Sequence, residues 1–251
     1  MLHEESHDGI ALLRFERPPA NAIELESARE LEAALARLET DADARAVVLT
    51  GHGRFFSAGL DLKVVPTYGA AEQRAMVMAI NRLISRFYGL PLPAVAALNG
   101  HAIAGGLVMA LACDYRIGSR GDYRLGLTET RVAIPYPAAA MAVVRAELAP
   151  AAARRLVLLA RNGTPEDALA DGVLDELQPA DAYFARALAV ARELAALPRA
   201  AYARIKRQLR ASTLDRIGEV LATGSDPLLD AWITQDTASA AVTVLAGKSS
   251  D

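Results

Sequence analysis

Asn99-Gly100-His101-Ala102-Ile103-Ala104-Gly105-Gly106 is the stretch whose reading decides the fold. It follows the apolar run Ala94–Leu98, which is set off by Pro91 and Pro93 on one side and the Asn99-Gly100 turn on the other, the signature of a short buried strand. It leads into residues 105–113, a short apolar helix. Strand, small-residue turn and helix in direct succession place the chain in the α/β class, with sheet layers covered by helices.

Working outward, the same alternation recurs. Upstream lie a strand at residues 10–16 stopped by Arg17-Pro18-Pro19, and a helix with Leu25, Ala28, Leu31, Leu35 and Leu38 on one face. A buried strand at residues 45–50 and a helix over residues 70–88 follow. Downstream, residues 114–118 and 123–127 read as strands. Beyond Tyr136-Pro137 the chain turns helical, at residues 138–148, 150–160 and 165–170, the last with Thr164 as N-cap, Pro165 at its first position and Asp167 at the capping-box position. One more strand at residues 173–177 precedes helices at residues 181–197, 199–211 and 227–245. No internal repeat or low-complexity linker interrupts this order.

Composition narrows the function. A chain of 251 residues with 53% hydrophobic content can bury a substantial core, and only 5% aromatics implies a core tiled by Ala, Leu and Val. The net charge of −3 argues against nucleic acid or an anionic membrane as the main partner. Cys113 is the sole cysteine and reads as a buried small residue. The amino-terminal residues 1–9 carry acids and histidines rather than the apolar stretch of a signal peptide, and no apolar run approaches the ~20 residues that span a bilayer, so a cytoplasmic location is expected.

Several familiar motifs are absent. Gly51-His52-Gly53 continues to Phe56 rather than to the glycine of a dinucleotide fingerprint, and Ser57 has Phe55 where a nucleophile elbow needs glycine. His3, His7, His52 and His101 never stand four apart on a helix, so no metal is expected. His101, beside a turn, reads as a packing or solvent residue before a catalytic one. Two small-residue segments remain: the glycine loop quoted above and Phe55-Phe56-Ser57-Ala58-Gly59-Leu60-Asp61-Leu62, each directly after a core strand. Small residues let a ligand approach the backbone, and a helix start at Gly105 offers unbonded N–H groups to an anion.

Together these segments resemble the crotonase (enoyl-CoA hydratase/isomerase) superfamily over nearly the whole chain. Arg17-Pro18-Pro19-Ala20-Asn21-Ala22-Ile23 is similar to its R-P-x-x-N-A-L opening, Phe56 to Leu62 to its F-S-A-G-x-D-L loop, Asn99 to Gly106 to its N-G-x-x-x-G-G loop, and Ala112-Cys113-Asp114-Tyr115-Arg116-Ile117 to its C-D-x-R-I strand. The resemblance implies a spiral of ββα units over residues 1–197 and a carboxy-terminal helical trimerisation region over residues 198–251. It implies an acyl-CoA thioester as substrate, with coenzyme A belonging to the substrate and no separate cofactor. It also implies that the backbone amides of Leu60 and Gly105 bind the thioester oxygen. Ala58 and Leu62 would hold the adenine and pantetheine, and Lys63 is the candidate phosphate contact, with a solvated lysine as the alternative reading. Lys206 and Lys248 are the other lysines. The family's assembly implies a homotrimer or dimer of trimers, with Trp232 and Ile233 as buried anchors.

The carboxylates bear on the reaction. Hydratases of this family use two glutamates, one three residues after the oxyanion glycine and one in a G-x-x-E turn. Here the first position is Val108 and the second is Glu129, in Gly126-Leu127-Thr128-Glu129. Valine can neither hold nor activate water. A lone glutamate can still move a proton from C2 to C4 of a 3-enoyl thioester. The segments around Val108 and Glu129 resemble mitochondrial-type Δ3,Δ2-enoyl-CoA isomerases, so a double-bond-shifting isomerase with Glu129 as base is expected. A hydratase or other lyase that recruits a second carboxylate is the first alternative, and a catalytically silent binding protein the second. Between Glu129 and Pro135 the chain is one residue shorter than in the hydratases, so the pocket wall there should differ, with Tyr136 facing the acyl chain or simply packing. Met76, Met78 and Ile80 are expected on the helix face that bounds the acyl chain.

Overall fold

The computed structural model describes residues 2–229 and 232–245. Lys248 and part of the expected helix at residues 227–245 therefore lie outside the described residues. Two sheets organise the chain. The larger contains β1 (Leu2–His7), β2 (Ile10–Phe15), β3 (Ala46–Gly51), β5 (Ala94–Leu98), β7 (Tyr115–Ser119) and β9 (Glu176–Gln178) in that spatial order. β1 pairs antiparallel with β2, and every later pairing is parallel. The smaller holds β4 (Phe55–Ser57), β6 (His101–Ile103) and β8 (Leu125–Gly126), also parallel.

The spiral follows from how these strands alternate. Each of the successive pairs β3/β4, β5/β6 and β7/β8 sends its first strand to the large sheet and its second to the small one. Between pairs come the crossover helices α2 (Ala70–Tyr88) and α3 (Gly105–Leu111), while α1 (Leu25–Thr40) joins β2 to β3. The remaining helices are α4 (Ala138–Glu147), α5 (Pro150–Ala153), α6 (Pro165–Ala170), α7 (Tyr183–Ala195), α8 (Arg199–Thr223) and α9 (Gln235–Leu245). A π-helical turn at Arg154–Leu158 interrupts the helix expected at residues 150–160, and α8 runs twelve residues past the expected end at 211.

Burial explains why the central strands read as continuous apolar runs. β3 and β5 are buried at every position, as parallel strands covered on both faces must be. Val47, Leu49, Ala94 and Ala96 face one cluster with α1, α2, α3 and α4, to which the small sheet adds Phe56, Ala102 and Leu125. Ala46, Val48, Val95 and Ala97 face the other, closed by Ala187, Val190 and Ala191 of α7. Burying each larger side chain is worth about 1.5–3 kcal/mol, so a charge at Val47 or Val48 would break one of the two layers.

Helix α8 is tied to this body by its charged side chains. Lys206 Nζ donates to Asp114 (2.8 Å) and to the Leu92 carbonyl (3.0 Å), and Arg210 bonds Asp114 (2.9 Å) and the Tyr88 carbonyl (2.9 Å). The Asp-x-Arg strand motif thus serves as an anchor: Arg116 meets Glu147 at 3.2 Å and Asp175 at 3.4 Å. Trp232, expected at a subunit interface, is 1% exposed within its own chain, and Ile233 packs against the same core. The Trp232 indole N–H donates to the Pro135 carbonyl at 2.9 Å, so that side chain is absorbed by the fold of the single chain, while Ile233 stays half-buried. Among the described residues no helix is long and apolar enough to cross a membrane.

Candidate active site

The two small-residue segments meet. Gly59 has φ +76°, and a Cβ there would lie 2.8 Å from the Gly105 nitrogen. A Cβ on Gly106 would lie 2.2 Å from the Ser57 carbonyl oxygen, so the backbones of the two loops are in direct contact and glycine is obligatory at both places. Ala104, the N-cap of α3, is held at φ 52°, a conformation that costs an alanine on the order of 1–3 kcal/mol. Among the described residues no protein acceptor engages the amide of Leu60 or of Gly105, and both residues line one cavity of about 800 Å³.

A polar scaffold behind the loops fixes them. Asn21 donates from its amide to the carbonyls of His52 (2.9 Å) and Phe55 (2.7 Å) and accepts from the Arg17 amide (3.0 Å). Ser57 donates its hydroxyl to the Asn21 carbonyl (2.8 Å) and accepts from the Gly59 amide (3.1 Å). Asn99 accepts from the Gly51 amide (3.0 Å) and donates to the Gly53 carbonyl (2.9 Å). Asparagine and serine are needed at these points because each satisfies backbone groups that tight turns leave unbonded.

Glu129 joins the same frame through β8. The Ala104 amide donates to the Gly126 carbonyl at 2.7 Å, so the turn carrying Glu129 is tied to the residue preceding Gly105. Asn162 packs directly on Gly126, where a Cβ would meet its Oδ1 at 2.0 Å and its Cα at 3.2 Å. Glu129 then opens a single 3-10 turn, Glu129–Val132, and its side chain lines the cavity with only 6% of the residue exposed. Burial lifts its carboxyl to about 7, against the opposing pull of a hydrogen bond from Tyr136. That phenol donates to Glu129 Oε2 at 2.5 Å. Tyr136 thus neither simply packs nor merely faces the acyl space, and its own hydroxyl is pushed up by burial and by the adjacent carboxylate.

The remaining positions fall as follows. Val108, one turn into α3, is buried and lines the cavity beside Gly105. Ala58, Leu62 and Lys63 also line it, with Lys63 exposed. Asp61 is the other carboxylate of the wall. Burial pushes its carboxyl up, but the Arg17 guanidinium at 2.5 Å and the Lys63 amide outweigh this and hold it below the usual range. On α2 the wall is made by Ile80, Leu83 and Ile84; of the expected methionines, Met76 is fully buried in the core and Met78 packs against it, and neither lines the cavity. Trp232 lines the cavity too. Of the residues that sequence reasoning missed in these roles, Arg17 and Trp232 are far apart in sequence from their partners and gave no local signal. Tyr136 was visible as the residue between Pro135 and Pro137, but its partner was not. His101 is not on the cavity wall: it stacks on Phe55 at 4.8 Å and its Nδ1 accepts from the Arg124 amide. Cys113 is buried, which pushes its thiol up, and it stays inert.

With this geometry established, the comparison with known proteins is direct. A family model described as enoyl-CoA hydratase/isomerase matches residues 5–243. The chain belongs to the enoyl-CoA hydratase/isomerase family. The crystal structure of human mitochondrial Δ3,Δ2-enoyl-CoA isomerase superposes with a TM-score of 0.88 at 30% identity, covering 98% of this chain and 97% of that one. By sequence, human mitochondrial enoyl-CoA delta isomerase 1 is 32% identical over 219 residues, 86% of this chain and 72% of that protein. A putative enoyl-CoA hydratase of Thermus thermophilus is 37% identical over 195 residues, 76% of each. The family thus includes both isomerase and hydratase relatives at similar distance, and its crotonase fold is the one described above.

Proposed function

We propose that this family member is an enoyl-CoA isomerase that moves a 3-enoyl double bond to the 2-trans position. The observation that carries the reading is the carboxylate inventory of the cavity: Glu129 is buried and raised to about 7, Asp61 is held by Arg17, and the position one turn into α3 is the valine Val108. A group near neutrality can accept a proton and return it at the same pH, which a shift of a double bond requires.

In this reading the acyl-CoA thioester places its carbonyl oxygen between the amides of Leu60 and Gly105. Glu129 removes a C2 proton, the electron pair moves into the conjugated dienolate, and the two N–H donors stabilise the oxygen, at roughly 3 kcal/mol per donor. The dienolate then takes the proton from Glu129 at C4, so the carboxylate is regenerated and no water enters the balance. Ala58 and Leu62 bind the adenine and pantetheine of coenzyme A, which is substrate rather than cofactor, and Lys63 is the phosphate contact. Hydration would need a second carboxylate to orient water, and the pairing of Asp61 with Arg17 speaks against that residue supplying it.

The test is conversion of 3-hexenoyl-CoA by the purified protein, with crotonyl-CoA hydration measured beside it. Isomerisation that is abolished in Glu129→Gln, with hydration far slower, is the expected result. Equal hydration would favour the hydratase reading, and undiminished turnover in the variant would remove Glu129 from the reaction.

A further inference from the structure

The loop between Glu129 and α4 is built with more constraint than a cavity wall needs. It leaves the 3-10 turn through Ala133, held at φ 51°, and the Ile134 amide returns to the Glu129 carbonyl at 3.1 Å. Thr237 of α9 donates its hydroxyl to the Ala133 carbonyl at 2.8 Å, and Trp232 donates to that of Pro135 at 2.9 Å. On the far side, Asp226 accepts from the Ala138 amide (2.8 Å) and Asn81 from the Ala139 amide (2.9 Å), capping α4. Asn81 in turn donates to Asp226 at 2.7 Å, and both are buried. Tyr136 sits between these two clamps, flanked by prolines that fix the backbone.

We propose that Tyr136 is a positioning residue for the base: its clamped phenol holds one oxygen of the Glu129 carboxylate and leaves the other to accept the proton. This rests on the reading of Glu129 as the base. The supporting observation is that the phenol is the sole side chain bonded to this carboxylate among the described residues, at 2.5 Å, in a cavity whose lining is largely apolar and includes Val108 and Met109 of α3, Val132 of its own turn and Ala140 of α4. A carboxylate with free rotation would present either oxygen in many orientations, whereas one held oxygen fixes the plane of the group. The charged groups on neighbouring elements do not compete for this task. Arg131 on the same turn and Asp236 on α9 are exposed, Asp61 is paired with Arg17, and Asp226 is committed to the α4 cap.

The hydrogen bond stabilises the ionised form of Glu129 against its burial, so its removal has a signed effect. In Tyr136→Phe the acid limb of kcat/KM for 3-hexenoyl-CoA is expected to move to higher pH by about one unit, with kcat down about tenfold and KM little changed. A fluorotyrosine at position 136 keeps the ring and strengthens the donor, and moves the limb the other way, so the test does not depend on a phenylalanine variant that folds. Difference infrared titration of the carboxyl, with Glu129→Gln as the blank, needs no substrate and separates failure of this inference from failure of the isomerase reading. An unmoved carboxyl titration in both Tyr136 variants would overturn the proposal. So would a loss of turnover in folded Tyr136→Phe as complete as that in Glu129→Gln, since the phenol would then be a reacting group.

Discussion

Asp114 and Glu129 are both acids withdrawn from water, with the Asp114 side chain 11% exposed and Glu129 6%, yet they are put to opposite uses. Asp114 is bonded by Lys206, Arg210, the Tyr202 hydroxyl and the Ala94 amide. Its charge is fully spoken for, and it nails α8 to the sheet. Glu129 has one phenol, its own backbone amide and a largely apolar cavity. Its charge is poorly compensated, which is the state of a group that can exchange a proton near neutral pH. Partner number, more than depth of burial, separates a structural acid from one suited to chemistry.

The contrast can be broken at either end. The largest effect is expected for Glu129→Gln, a loss of turnover of about 10³- to 10⁴-fold with the fold intact, read by steady-state kinetics and circular dichroism. Next comes Asp114→Asn, which leaves Lys206 buried without its counter-charge and Arg210 with only Glu147 at 3.7 Å, and should cost about 3–5 kcal/mol of stability by urea denaturation, while turnover per folded molecule is unchanged. If the two variants exchanged phenotypes, the division between structural and chemical acid would be wrong.

How far the sequence reveals this division depends on range. Strands β2, β3 and β5 and helices α1, α2, α4 and α6 were legible because apolar period and proline or glycine stops act locally, and the glycine loops were legible because close backbone approach leaves no substitute for glycine. β1 escaped because an edge strand with four exposed residues has no apolar run to mark it. β4 and β6 are too short to show a period, and of the strand expected at residues 123–127 only Leu125–Gly126 forms, as β8. Helix α8 was cut short because its buried face is made of Lys206, Arg210 and Ile217, which inverts the pattern a reader looks for. In the site, Gly59, Gly105, Val108 and Glu129 could be read from motif and resemblance, whereas the Tyr136 bond and the Trp232 wall depend on the path of the chain after Ala133, which no local signal specifies.

Two smaller effects sharpen the comparison. Gly59→Ala would put a methyl group 2.8 Å from the Gly105 nitrogen and strain a φ of +76°, and is expected to lower turnover by about 10²- to 10³-fold by displacing one of the two amides. A KM change with kcat intact would instead place the loop in binding alone. The last concerns stability. The folded Glu129 carboxyl lies near 7 and its ordinary value is 4.5, so the fold favours the protonated form. Its contribution is fully present below 4.5 and is lost as pH rises through 7. Glu129→Gln should therefore be more stable than the wild type by about 3 kcal/mol at alkaline pH and equal to it in acid. A stability gain that does not vary with pH would show that the carboxylate is not the cause.

The most direct measurement for the central claim is the pH dependence of kcat/KM for 3-hexenoyl-CoA isomerisation. A single buried base should give one acid limb with its midpoint near 7, absent from the residual activity of Glu129→Gln. A limb near 4.5, the range of an ordinary carboxylate, or one that survives in the variant, would contradict the assignment of Glu129 as the base.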